Sequence, residues 1–240
     1  IRAYPGLNGI TDIKEKDDQH MWIGTATGLY LLNKETGKFQ NISMPIESFY
    51  INALYQTPDS LLYIGTSNSG LLIYNYQKNS FEHFHKDNCP LISNNIYTIL
   101  PDGNKSVLLS TENSLTSYYP EGKIFHNWTK EQGLKSDHFN ATSGTLRKNG
   151  NFILGSTDGA IEFHKDMMIP RNYEFKMIFS DLRVFYQTVY PGDEGSPLEV
   201  DIDETQVLKL KYNQNIFSLR ISSINYDYPS LVLYSWKLEG

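Results

Sequence analysis

Three kinds of stretch in this sequence carry residue types capable of chemistry. The first is "GTATG", Gly24 to Gly28. Two glycines around small hydroxyl residues can cradle a phosphate on backbone N–H groups, provided the loop opens a helix. The same five residues can equally form a tight turn between two strands. The second is "HFH", in which His83 and His85 alternate and could face one metal ion from a single strand. Two ligands are too few for a closed site, and the strand reads as an outer, solvated one. No metal or cofactor site is expected. The third comprises "SFYIN", "SNNIY" and "SDHFN", which bring Tyr50, Asn52, Asn94, Asn95, Tyr97, His138 and Asn140. Amides and charged groups hydrogen-bond sugar hydroxyls, and aromatic rings pack on the C–H faces, so these types suit an oligosaccharide. The same residues have a plainer use: Asn and Ser cap turns and Tyr fills a core. Nothing resembles a catalytic set. Asp17 and Asp18 read as turn residues, and no Ser, His and Asp stand out together. No enzymatic activity is expected of this chain.

The elements that position these residues are legible as a repeat. "WIGTATGLYLL", "YIGTSNSGLLIY", "LLSTENSLTSYY" and "ILGSTDGAIEF" share one pattern, anchored at Gly24, Gly65, Ser110 and Gly155 with spacings of 41, 45 and 45 residues. A phosphate loop should occur once; four copies, each feeding a strand, favour the turn. An alternating apolar run precedes each anchor, and three anchors are followed by a polar turn and an aromatic-bearing run. Each unit therefore reads as four short strands joined by turns, the period and content of a propeller blade. The three site-bearing stretches then fall at the entrances of the innermost strands, around the central opening. Four blades are few for a propeller, so further blades are expected upstream. Ile1 to Asn8 reads as the last strand of a blade whose beginning is missing.

After Pro170 the glycine-anchored pattern stops and longer alternating runs begin: "FKMIFSDLRVF", "VLKLKYN", "IFSLRISSINY" and "LVLYSWKL". Leu208, Leu210 and Tyr212 share one face, as do Phe217, Leu219 and Ile221, and Val232, Tyr234, Trp236 and Leu238. Half-buried antiparallel strands look like this. The expected organisation is all-β: propeller blades over 1–170, then an immunoglobulin-like β-sandwich over 171–240, beginning near Asn172 and continuing in the natural protein past Gly240.

The composition agrees. Tyr (17), Phe (12) and Trp (3) supply large core side chains and favour strands. A formal net charge of −6 without a block of five like charges disfavours a nucleic-acid partner. The single cysteine, Cys89, excludes an internal disulfide. No apolar run is long enough to span a membrane as a helix.

"DDQHMWIGTATGLYLLNKETGKFQNI" resembles the two-component regulator propeller repeat: an acidic turn, an aromatic-apolar-Gly-Thr strand, a Gly-Leu step, then a turn and Phe. "NGNFILGSTDGAIEFHKDMMIP" is similar to the last such repeat of a propeller. "YNQNIFSLRISSINYDYPSLVLYSWKLEG" resembles the triple-tyrosine domain that follows these propellers. Trp236 departs from the usual Tyr, and Ser110 and Asn113 stand where glycines are usual. The resemblance implies the periplasmic sensor region of a membrane-anchored hybrid two-component histidine kinase of Bacteroides-type bacteria. It implies oligosaccharides from complex glycans as ligands and a homodimer formed through the sandwich domain. A propeller lyase or hydrolase and a protein-binding scaffold remain the alternatives; fold alone does not choose among them.

Overall fold

A computed structural model of the chain describes residues 3–46, 50–102, 106–168, 176–224 and 236–237. It forms two compact units, Ile1–Pro170 and Arg171–Gly240. The described residues are nearly all strand, turn and loop. No helix among them is long and apolar enough to cross a membrane.

The first unit is a series of antiparallel sheets, each built from consecutive strands. The first blade holds β1 (Ile10–Glu15), β2 (His20–Thr25), β3 (Gly28–Asn33) and β4 (Phe39–Ile42). The second holds β5 (Ile51–Gln56), β6 (Leu61–Thr66), β7 (Leu71–Asn75) and β8 (Ser80–Phe84). The third holds β9 (Ile96–Pro101), β10 (Val107–Thr111), β11 (Leu115–Tyr119) and β12 (Ile124–Trp128). Among the described residues the fourth has three strands, where four were expected: β13 (Phe139–Leu146), β14 (Asn151–Ser156) and β15 (Gly159–His164). A short 3-10 turn over Lys165–Met168 follows β15. The expected strand at Ile1–Asn8 is also absent from its described part. Pro5 and a Gly6 held at φ 121° interrupt an extended run there, and Tyr4 Oη instead donates to the Lys34 carbonyl, 3.2 Å away.

Strand side chains point alternately to the two faces of a sheet, so a blade between two others is buried on both. This explains the continuous apolar runs. Leu62, Ile64, Leu72 and Tyr74 pack with Trp22, Leu29 and Ile51 at the first seam. Their neighbours Tyr63, Leu71 and Ile73 pack the opposite way, with Ile96, Leu109 and Tyr118 at the second. Leu108, Leu115, Phe139, Phe152 and Leu154 fill the third.

The anchor glycines belong to these seams. A Cβ on Gly24 would lie 2.8 Å from Ile51 Cγ2, and one on Gly65 would lie 2.7 Å from Ile96 Cγ2. The first residues of the second and third inner strands, Ile51 and Ile96, thus lie directly on the glycine backbone of the preceding blade. Gly28 has the other reason for being glycine, a φ of 140° at the hairpin. The hydroxyl after each anchor closes that hairpin: Thr25, Thr66, Thr111 and Ser156 donate to the carbonyls of Gly28, Gly70, Ser114 and Gly159 at 2.7–3.0 Å. "GTATG" is therefore a strand–turn–strand device.

In the second unit, β16 (Lys176–Val184) pairs with β17 (Gln187–Thr188) and β18 (Phe217–Ile224). Leu182, Val184 and Leu198 form its core, with Val189, Ile202 and Leu208 against them. The strand expected over "VLKLKYN" does not form. Leu208 packs against the core, but Tyr212 is 97% exposed, and the segment pairs with none of the described strands. Asn172, Val232, Tyr234 and Leu238 lie outside the described residues; Trp236 is 81% exposed.

Candidate functional site

β1, β5, β9 and β13 pack one after another as the inner row. Each begins with an irregularity in register against its neighbour. One residue is extra between Ile10 and Asp12, between Ile51 and Ala53, and between Ile96 and Thr98. In the fourth blade four residues, Asn140 to Ser143, intervene between Phe139 and Gly144. Such bulges re-aim side chains where a strand meets a functional rim. Thr11, Asn52, Tyr97 and Asn140 hold equivalent bulge positions, so three of the seven residues singled out from the sequence share one structural place. The fourth-blade bulge is the widest. Thr142 there takes φ 55°, and Ser143 fills the space that a Cβ on Gly155 would need.

Backbone bonds tie the strand entrance to the hairpin of the same blade in the first, second and fourth blades. Ala26 N–H donates to Gly9, Ser67 N–H to Tyr50 and Thr157 N–H to His138, all at 2.9–3.0 Å. Entrances and hairpin tips consequently form one rim. A chain of bonds crosses it from the second blade to the fourth. Asn68 N–H donates to Asn95 Oδ1 at 2.8 Å, and Asn95 Nδ2 donates to Glu112 Oε2 at 2.9 Å. His138 Nδ1 lies 3.3 Å from the Glu112 carbonyl, as its donor. Beyond it, Lys130 pairs with Asp137 at 3.0 Å and holds that carboxyl below the usual carboxylate range.

The seven residues play different parts on this rim. Tyr50 is 45% exposed, its ring free to face a ligand. Asn95, His138 and Asn140 are on the rim with accessible side chains, and Asn140 also donates to the Ser156 carbonyl at 3.2 Å. Tyr97 is half-buried at the third seam. Burial pushes its phenol above the ordinary value, and the Glu112 charge adds to this. Asn94 braces the loop before it: its Oδ1 accepts from Lys86 N–H and its carbonyl from Gly70 N–H, both at 2.8 Å. Asn52 is only 5% exposed. Its amide donates to the Ile96 carbonyl of the next blade at 2.9 Å and to Ser67 Oγ at 3.1 Å. That amide is committed to holding two blades together.

Glu112 is the residue that the sequence reading passed over. It occupies the tip of the third hairpin, in "STENS", where the glycine pattern fails. A charged residue at the tip of the one irregular copy was the available signal. His83 sits on β8, the outermost strand of its blade, and His85 just past its end, with ring centroids 4.8 Å apart. His83 Nε2 donates to the Ser69 carbonyl at 2.6 Å, and no three metal-ligating side chains converge among the described residues. The rim thus offers amides, hydroxyls, a carboxylate, an imidazole and an open tyrosine ring, a set that binds hydroxyl-rich molecules through many modest bonds.

No protein-family model matches the chain. It is 25% identical over 232 residues to Histidine kinase P4 of Formosa agariphila, a match covering 92% of this chain and 17% of that protein. A similar solved structure is the extracellular domain ascribed to a hybrid two-component system of B. thetaiotaomicron. There the identity is 23% and the TM-score 0.54, over 93% of this chain and 29% of that one. The WD40 β-propeller domain of Doa1 matches with 15% identity and a TM-score of 0.50, over 64% of this chain and 49% of that one. The chain spans under a third of the first two proteins, and the structural likenesses establish the fold as all-β and propeller-like.

Proposed function

We propose that this chain is the extracytoplasmic ligand-sensing part of a two-component sensor, and is not itself an enzyme. The observation that carries the reading is the likeness to Histidine kinase P4 along 92% of the chain, joined to a rim of hydrogen-bonding groups. In this proposal the ligand is an oligosaccharide derived from a complex glycan. It seats on the rim between the second and fourth blades, against Tyr50, Asn95, Glu112, His138 and Asn140. The whole protein is membrane-anchored in the periplasm, pairs as a homodimer through the second unit, and passes occupancy across the membrane to its kinase.

Calorimetry on the complete ectodomain with a broad panel of oligosaccharides tests this. One or more should bind, and Glu112→Ala should weaken the interaction about tenfold or more, the loss of a hydrogen bond to a charged group. Silence across the panel would overturn the glycan-sensing proposal. Unchanged affinity in Glu112→Ala would move the ligand off this rim.

A further inference from the structure

The second unit carries a feature unrelated to the rim. Along β16 the apolar alternation changes phase at Ser180, with Met177 and Phe179 before it and Leu182 and Val184 after. The ladder accommodates this with a bulge: Phe179 opposes Ile221, yet Asp181 already opposes Arg220. The bulge turns Leu182 and Val184 into the core. It also sends Asp181 and Arg183 to the other face, where they meet Ser218 and Arg220 of β18. On that face Asp181 is the cross-strand partner of Arg220, and Arg183 that of Ser218.

Directly opposed side chains on a sheet lie about 5 Å apart, so Asp181 and Arg220 are placed to pair. They do not. Asp181 Oδ2 is taken along the strand by Arg183 Nε at 3.0 Å. The Arg220 guanidinium has no hydrogen-bond or ion-pair partner among the described residues. Two guanidiniums therefore stand beside one carboxylate that pairs with only one of them, on a chain whose net charge is −6. With Leu219 and Ile221 these four residues line a depression of about 340 Å³. That is larger than a bare oxyanion and close to the lower end of small-molecule sites, about 300 Å³.

We infer that this depression binds an oxyanion group — a carboxylate, sulfate or phosphate — forked by Arg220, reached by Arg183 and bonded by the Ser218 hydroxyl. Guanidinium is the side chain suited to planar, two-pronged capture of such a group. Asp181 holds the Arg183 side chain in place through Nε and leaves its terminal amino groups for the anion. A soluble anionic molecule and an anionic lipid head group present the same chemistry.

The test uses the whole 240-residue chain. In one arm, sodium sulfate and sodium phosphate are titrated against sodium chloride of equal ionic strength, by calorimetry and thermal shift. In the other, the chain is sedimented with phosphatidylglycerol or phosphatidylcholine vesicles. Saturable binding of sulfate or phosphate is expected, at least tenfold weaker in Arg220→Gln, weakened in Ser218→Ala and unchanged in Lys209→Gln. Sedimentation with phosphatidylglycerol only, lost in Arg220→Gln and competed by sulfate, would assign the lipid source. Binding of the free anions without sedimentation would assign the soluble one. No saturable binding in either arm, or binding that Arg220→Gln retains, overturns the inference.

Discussion

Replacing Asn52 by Ala separates a structural role from a ligand-binding one. The Asn52 amide joins the second blade to the third through the Ile96 carbonyl at 2.9 Å and reaches Ser67 Oγ at 3.1 Å. Each such bond contributes about 0.5–1.5 kcal/mol net, and an acceptor left unsatisfied in a buried setting costs about 1–3 kcal/mol. Ile96 is fully buried, so Asn52→Ala should destabilise the first unit by about 2–3 kcal/mol. For a unit of this size each kcal/mol lowers the melting midpoint by about 2–4 °C, giving a fall of about 4–12 °C. Asn52→Asp is the sharper variant. It keeps the shape but presents a carboxylate oxygen, which cannot donate, to the Ile96 carbonyl. It should melt no higher than Asn52→Ala at neutral pH. Thermal unfolding followed by circular dichroism reads both. A midpoint for Asn52→Ala within 1 °C of wild type, or recovery in Asn52→Asp, would refute the clamp and return Asn52 to the candidate ligand contacts.

Two further substitutions probe equivalent anchor positions. Gly65→Ala puts a Cβ 2.7 Å from Ile96 Cγ2 and should cost about 1–3 kcal/mol through overpacking. Ser110→Ala, in the third blade, should instead be neutral or stabilising by about 1 kcal/mol, because the Ser110 hydroxyl is 1% exposed and unpartnered; urea unfolding compares the two. Acid unfolding examines Asp17. Burial raises its carboxyl, but bonds from His20, the Gln19 N–H and Lys16 outweigh this and hold its pKa at about 2, below an ordinary 3.8. The folded state thus favours the carboxylate, and that contribution is complete above pH 3.8 and is lost as pH falls towards 2. Asp17→Asn should therefore melt below wild type at pH 5 and converge with it by pH 2; a constant gap would contradict this.

Much of the fold can be read from the linear sequence because its units are local. A hairpin needs only a few successive residues, so Gly24, Thr25 and Gly28 announce it, and their recurrence announces blades. The boundary near residue 170 follows from the end of that pattern. The rim was legible in outline, since each strand entrance precedes its anchor by a nearly constant interval. What the sequence could not resolve depends on partners distant along the chain. Asn52 and Asn95 are the same residue type at two strand entrances, yet one is sealed against Ile96, 44 residues away, and the other stands on the open rim. Alternation in "LKLKY" supplies two faces, but a strand also needs a partner to ladder with, and the segment pairs with none of the described strands. Among the described residues the last blade shows three strands, and a local 3-10 turn follows the third. Gly24 and Gly65 show the division within a single residue type. The sequence determined that a glycine stands at each anchor. Only the packing of blade on blade decided why, because the atom that excludes a Cβ belongs to Ile51 or Ile96 of the next sheet.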